Sequence, residues 1–101
     1  MSAVKTRPFD PAKYLNSDKA IAAYMSEALE TGDPAFVADA LGVVARARGM
    51  SDVARAAGVS RESLYRALSV DGSPKFDTVL RVMQALGLQF TVNPARRKKV
   101  A

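Results

Sequence analysis

Apolar positions recur along most of this chain at intervals of three and four, the spacing that lines one stripe of an α-helix. In DKAIAAYMSEALETG, which follows Ser17, residues Ile21, Tyr24, Met25, Ala28 and Leu29 share a face, Ser17 suits the N-cap, and Gly32 suits the position just past a helix end. AFVADALGVVARARG opens on Asp33 and Pro34, a cap followed by a residue whose missing N–H costs nothing in a first turn. It aligns Phe36, Val37, Ala40, Leu41, Val44 and Ala45 before Gly49. Gly42 inside this helix costs up to ~1 kcal/mol relative to alanine, so a close backbone approach is its expected reason. Two short patterns follow. Ser51 is expected to cap a helix with Val53, Ala54 and Ala57 inward that stops at Gly58, and Ser60 to cap one with Leu64, Ala67 and Leu68 inward. SVDGSPKF reads as a loop. The helical pattern resumes at Phe76 with Val79, Leu80, Met83 and Leu86, and Gly87 ends it.

The period then changes. LQFTV alternates Leu88, Phe90 and Val92 with Gln89 and Thr91, which predicts a strand over 88–92 with one buried face and a need for a partner. The chain therefore divides into an N-terminal arm over 1–16 with a short helical turn at Asp10 and Pro11, one domain over 17–93, and a basic, disordered tail over 94–101. The expected class is all-α, five helices with an added short C-terminal β-strand.

Composition narrows the chemistry. The 101 residues include neither cysteine nor histidine, which removes disulfides, the usual zinc and haem ligand sets, and Ser-His-Asp or Cys-His nucleophiles. The carboxylates stand at helix starts and solvent faces, with no paired set and no phosphate-cradling glycine loop, so no enzyme, cofactor or metal is expected. MSAVKTRPFD lacks the apolar run of a secretory signal, and no stretch approaches the ~20 apolar residues of a membrane span, so a cytoplasmic protein is expected. The net charge of +5 is uneven. Residues 1–44 hold four basic against six acidic side chains, residues 45–95 hold seven against four, and Arg96, Arg97, Lys98 and Lys99 close the tail.

The stretch SDVARAAGVSRESLYRAL, residues 51–68, explains where the basic charge belongs. Two short helices joined by about three residues containing glycine form a helix-turn-helix, whose second helix enters the DNA major groove. Ala54 suits the helix crossing, Gly58 a turn residue with positive φ, and Val59 and Leu64 the wedge between the helices. Arg61, Glu62, Tyr65 and Arg66 share the opposite stripe and are the expected DNA contacts. Arg61 and Arg66 reach guanine O6 and N7 or phosphates, and Tyr65 reaches phosphate or a thymine methyl. Glu62 either accepts from cytosine N4 or pairs with Arg66 one turn on. Ser51 and Ser60 are caps whose neighbouring amides also suit phosphate, Lys75 is placed for the flanking backbone, and of Arg46, Arg48 and Arg55 one or two, Arg55 first, are expected at the entry of the motif. Met25, Met50 and Met83 are expected in the core, and Tyr14, Tyr24, Phe36, Phe76 and Phe90 in the core or its rim.

The order of alanine, Gly-Val-Ser and a later leucine resembles the helix-turn-helix of phage-repressor-like (Xre-type) regulators. GDPAF, VARARGMS, SRESLYRALS and the Pro74, Phe76, Thr78, Val79 pattern together resemble the helix-turn-helix antidote proteins of bacterial and prophage toxin-antitoxin modules, similar to HigA antitoxins, over Phe9 to Val92. That resemblance implies a dimeric antitoxin that binds double-stranded operator DNA, represses its own operon, and is made beside a small toxin of the RelE/ParE type. A phage or prophage repressor without a toxin, and a helical protein-binding module, are the alternatives. Because one helix-turn-helix reads only a few base pairs, a two-fold homodimer is expected, with Leu88, Phe90 and Val92 at its interface.

Overall fold

The computed structural model describes residues 14–95. Five helices follow one another: α1 (Asp18–Glu30), α2 (Pro34–Arg48), α3 (Met50–Ala57), α4 (Arg61–Ala67) and α5 (Phe76–Ala85). Local chemistry starts three of them where the sequence places a cap. The Ser17 hydroxyl accepts from the Ala20 amide at 3.1 Å, Asp33 Oδ1 accepts from the Ala35 amide at 3.0 Å, and the Ser60 hydroxyl accepts from the Ser63 amide at 3.0 Å. Each satisfies an amide that a helix start otherwise leaves without a partner.

α1 packs on α2, α2 on α3, and α3 on both α4 and α5. The core gathers Ile21 and Met25 from α1, Leu41 and Val44 from α2, Met50, Val53 and Ala54 from α3, Leu64 and Leu68 around α4, and Val82, Met83 and Leu86 around α5. Leu15, from the end of the N-terminal arm, joins it. Ile21, Leu41, Leu64, Leu68, Val44 and Val82 are the largest side chains with essentially no exposure, each worth about 1.5–3 kcal/mol of apolar burial. No polar or charged side chain is buried among the described residues. α3 thus forms the hub, and the motif stands on the same core as the long helices.

Two expectations change. Ser51 is not a cap: α3 begins at Met50, its N-cap is Gly49 with φ 108°, and no side chain bonds the first turn. The Gly49 carbonyl accepts from the Val53 amide at 3.0 Å, and the buried Met50 side chain draws one more residue into the helix. The strand over 88–92 is absent, and residues 88–95 carry no regular structure. Leu88 instead finishes the end of α5, its amide donating to the Met83 carbonyl at 2.9 Å while the Gly87 amide donates to Gln84 at 3.0 Å, a paired helix-ending arrangement. Phe90 then meets Phe76 with ring centroids 6.3 Å apart. Among the described residues no strand forms to complete a ladder. Of the core-or-rim aromatics, Phe36 and Phe76 take the rim, being 47% and 70% exposed, and Met25, Met50 and Met83 are buried as expected. The turn at Asp10 and Pro11 and the tail from residue 96 lie outside the described residues.

Candidate nucleic-acid interface

α3 closes with the Val59 amide on the Ala54 carbonyl at 3.0 Å and the Gly58 amide on Arg55 at 3.2 Å. Gly58 takes φ 76° there, a conformation costing a non-glycine residue about 1–2 kcal/mol. Val59 packs partly buried on the core, and Ser60 is extended before α4 starts. The connection between the two helices is therefore three residues, with every expected turn residue in its role.

α4 is only seven residues long, too short to be stable as an isolated helix. The Ser60 cap and the buried Leu64 and Leu68 hold it against the core. With Leu64 turned inward, Arg61, Glu62, Tyr65 and Arg66 stand exposed on the opposite side. The Arg61 guanidinium carbon lies 5.5 Å from the Tyr65 ring centroid. This face contact restrains both side chains while leaving the guanidinium N–H groups for acceptors. The Glu62–Arg66 ion pair does not form; the ion pairs among the described residues are Arg48–Asp18, Arg55–Asp52 and Arg81–Asp77.

The remaining candidates stand on neighbouring elements. Ser51 and Arg55 are exposed one turn apart on α3, and Arg55 pairs with Asp52 at 3.0 Å. An exposed pair of this kind holds little energy and yields readily to a competing anion. Lys75 is exposed in the N-cap position of α5, where its side chain makes no cap bond. No hydrogen bond, ion pair or ring contact joins these three to the α4 stripe. Arg48 is engaged elsewhere, donating to Asp18 of α1, and Arg46 folds toward the corner that Gly42 shares with Leu68.

One cation escapes sequence reasoning. A Cβ placed on Gly58 would lie 4.0 Å from a terminal nitrogen of Arg81, so this α5 side chain reaches the turn between α3 and α4, with Asp77 at 3.8 Å. Only the packing of α5 on α3 brings it there, and no local pattern announces it. Arg55, Arg61, Arg66 and Arg81 are all exposed on or beside the α3–α4 pair, and their guanidinium groups are fitted chemically to phosphates and to the acceptor edges of guanine.

The sequence model of the family described as "Probable addiction module antidote protein" matches residues 5–94. The chain belongs to that family. A protein of Haemophilus influenzae described as "Uncharacterized protein" is 49% identical over 90 residues, covering 89% of this chain and 93% of the relative. No solved structure matches. The antidote family implies a toxin as partner and a regulatory role rather than a catalytic one, and its match spans all five helices, including the whole of residues 51–68. No helix among the described residues of this antidote-family chain is long and apolar enough to cross a membrane.

Proposed function

We propose that this chain is a sequence-specific DNA-binding repressor that serves as the antitoxin of a type II toxin-antitoxin module and represses its own operon. The observation that carries the reading is α4, a short capped helix whose inner side is fixed by Leu64 and whose outer side offers Arg61, Glu62, Tyr65 and Arg66 with Arg61 stacked on Tyr65. In this reading α4 enters the major groove. Arg61 and Arg66 address guanine edges or phosphates, Tyr65 a phosphate or a thymine methyl, and Glu62, free of Arg66, the amino group of cytosine. Ser51, Arg55 and Lys75 hold the DNA backbone on either side, and Arg81 adds a charge at the turn.

The protein acts as a two-fold homodimer, which sets two α4 helices in successive major grooves ~34 Å apart. Phe90 and Val92, 38% and 95% exposed, and the half-buried Leu88 lie in its interface with the exposed Phe76; side-chain contact, not a shared ladder, joins the copies. The toxin is of the RelE/ParE type, following the resemblance to HigA antitoxins and the Xre-type motif.

Two measurements test the reading. Mobility shift of the purified chain on its own promoter DNA and on a scrambled duplex, at one salt concentration, should show a preference of at least roughly 10³-fold. Co-expression with the neighbouring reading frame should relieve growth arrest caused by that frame alone. Equal binding to both duplexes overturns the repressor, and growth arrest unrelieved by the chain overturns the antitoxin.

A further inference from the structure

We infer that the apolar groove between the end of α1, the first half of α2 and the loop before α5 receives an apolar side chain from a basic protein partner, and that this is where the antitoxin holds its toxin. The inference rests on the antitoxin half of the proposed function. The groove has a volume of about 350 Å³ and is lined by Leu29, Pro34, Val37, Leu41, Pro74 and Val79 among others, none of them charged. Leu41 at its floor is fully buried while Leu29 at its edge is 41% exposed, so one large side chain can enter and find apolar atoms below and beside it. A desolvated pocket for an anchor residue is the form that binding hot spots take.

Charge selects the occupant. From Ala20 to Ala45 the chain has no lysine or arginine but carries Glu27, Glu30, Asp33 and Asp39. Glu30 and Asp33 flank the lining residues and are exposed, and Asp33 is held in place by the Ala35 amide. Asp71, also exposed, adjoins the lining residue Gly72 on the far side, and Lys75, next to the lining residue Pro74, sets one cation against these three carboxylates, so the border is acidic in balance. An apolar floor inside an acidic border is complementary to an apolar side chain set among lysines and arginines. The carboxylates of the border disfavour nucleic acid, and no residue of the α4 stripe and none of Ser51, Arg55 or Lys75 lines the groove, so one chain can hold DNA and this partner through separate residues.

Leu29→Arg sets a cation at the groove's edge, and Glu30→Lys reverses one border charge. Both changes are on the exposed last turn of α1, where a cation suits the helix dipole and the fold is spared. The probe is the product of the neighbouring reading frame, titrated by calorimetry against the full chain. Leu29→Arg should weaken the complex at least tenfold, and Glu30→Lys by a smaller factor that shrinks with added salt, while both variants shift promoter DNA as the parent chain does. A photo-crosslinker, Leu29→p-benzoylphenylalanine, should capture that protein in the complex. Capture of residues 1–13 or of a second copy instead, or unchanged affinity in both charge variants, overturns the groove assignment and leaves the antitoxin reading standing. If the unaltered chain does not bind that protein, the antitoxin reading itself falls and the groove assignment with it.

Discussion

Gly42 of α2 lies directly against Leu68: a Cβ on Gly42 would overlap the Leu68 carbonyl oxygen and stand 3.3 Å from the Leu68 side chain. Here the backbone of a long helix meets the end of α4, and it sets how closely α4 sits on the core. Gly42→Ala improves helix propensity by up to ~1 kcal/mol, yet must displace a backbone atom. Overpacking of this kind costs about 1–3 kcal/mol. Chemical denaturation should therefore show a net loss of stability, where propensity alone gives a gain.

The two serines of the motif should behave differently. Ser60→Ala removes the acceptor of the Ser63 amide and should cost about 1 kcal/mol. Ser51→Ala, inside the first turn of a helix capped by Gly49, should lie within about 0.5 kcal/mol of the parent. Equal losses in thermal or denaturant unfolding would put the start of α3 at Ser51 after all.

Those two positions show how far the sequence could be read. Three of the caps, the stop at Gly58 and the close approach at Gly42 are stereochemical needs of single residues, and they are visible without the fold. The start of α3 depended on Met50 being buried by other helices. The alternation of Leu88, Phe90 and Val92 predicts a buried face that only the half-buried Leu88 partly supplies, Phe90 and Val92 being exposed, because a period of two cannot say whether another backbone lies alongside. At Phe36 and Phe76 the apolar spacing runs past the edge of the core, because both sit in first turns. Arg48 on Asp18 and Arg81 at Gly58 join residues far apart in sequence, and no local pattern encodes either. For the candidate site, the α4 stripe was legible because one helix carries it, whereas the groove beside Leu29 needs three elements to exist.

Alkaline pH should act through Tyr24. Burial raises its phenol above the ordinary value, Asp39 raises it further, and Arg46 partly offsets them. A raised folded pKa means that the neutral form is favoured in the folded state, so this contribution is full below about pH 10, the unfolded value, and is lost as pH rises through the folded one. Tyr24→Phe should flatten that alkaline decline in stability and leave the neutral range unaffected by titration.

Phe90→Asp tests assembly. Phe90 is 38% exposed and meets the exposed Phe76 in a tilted ring contact, so a carboxylate there spares the core but is costly in an apolar contact between copies. Sedimentation should show the parent chain as the proposed dimer and the variant as a monomer at the same concentration. An undiminished dimer would move the interface away from residues 88–92.

The central claim is that α4 reads DNA, and it is met most directly by footprinting the double substitution Arg61→Ala and Arg66→Ala on the chain's own promoter. Both side chains are exposed, so the fold should be retained, as circular dichroism will report. Each lost base contact costs about 1–3 kcal/mol. The account predicts a footprint that disappears at concentrations saturating for the parent chain, while weak binding to unrelated duplex persists. A protected region of unchanged position and concentration dependence would contradict it.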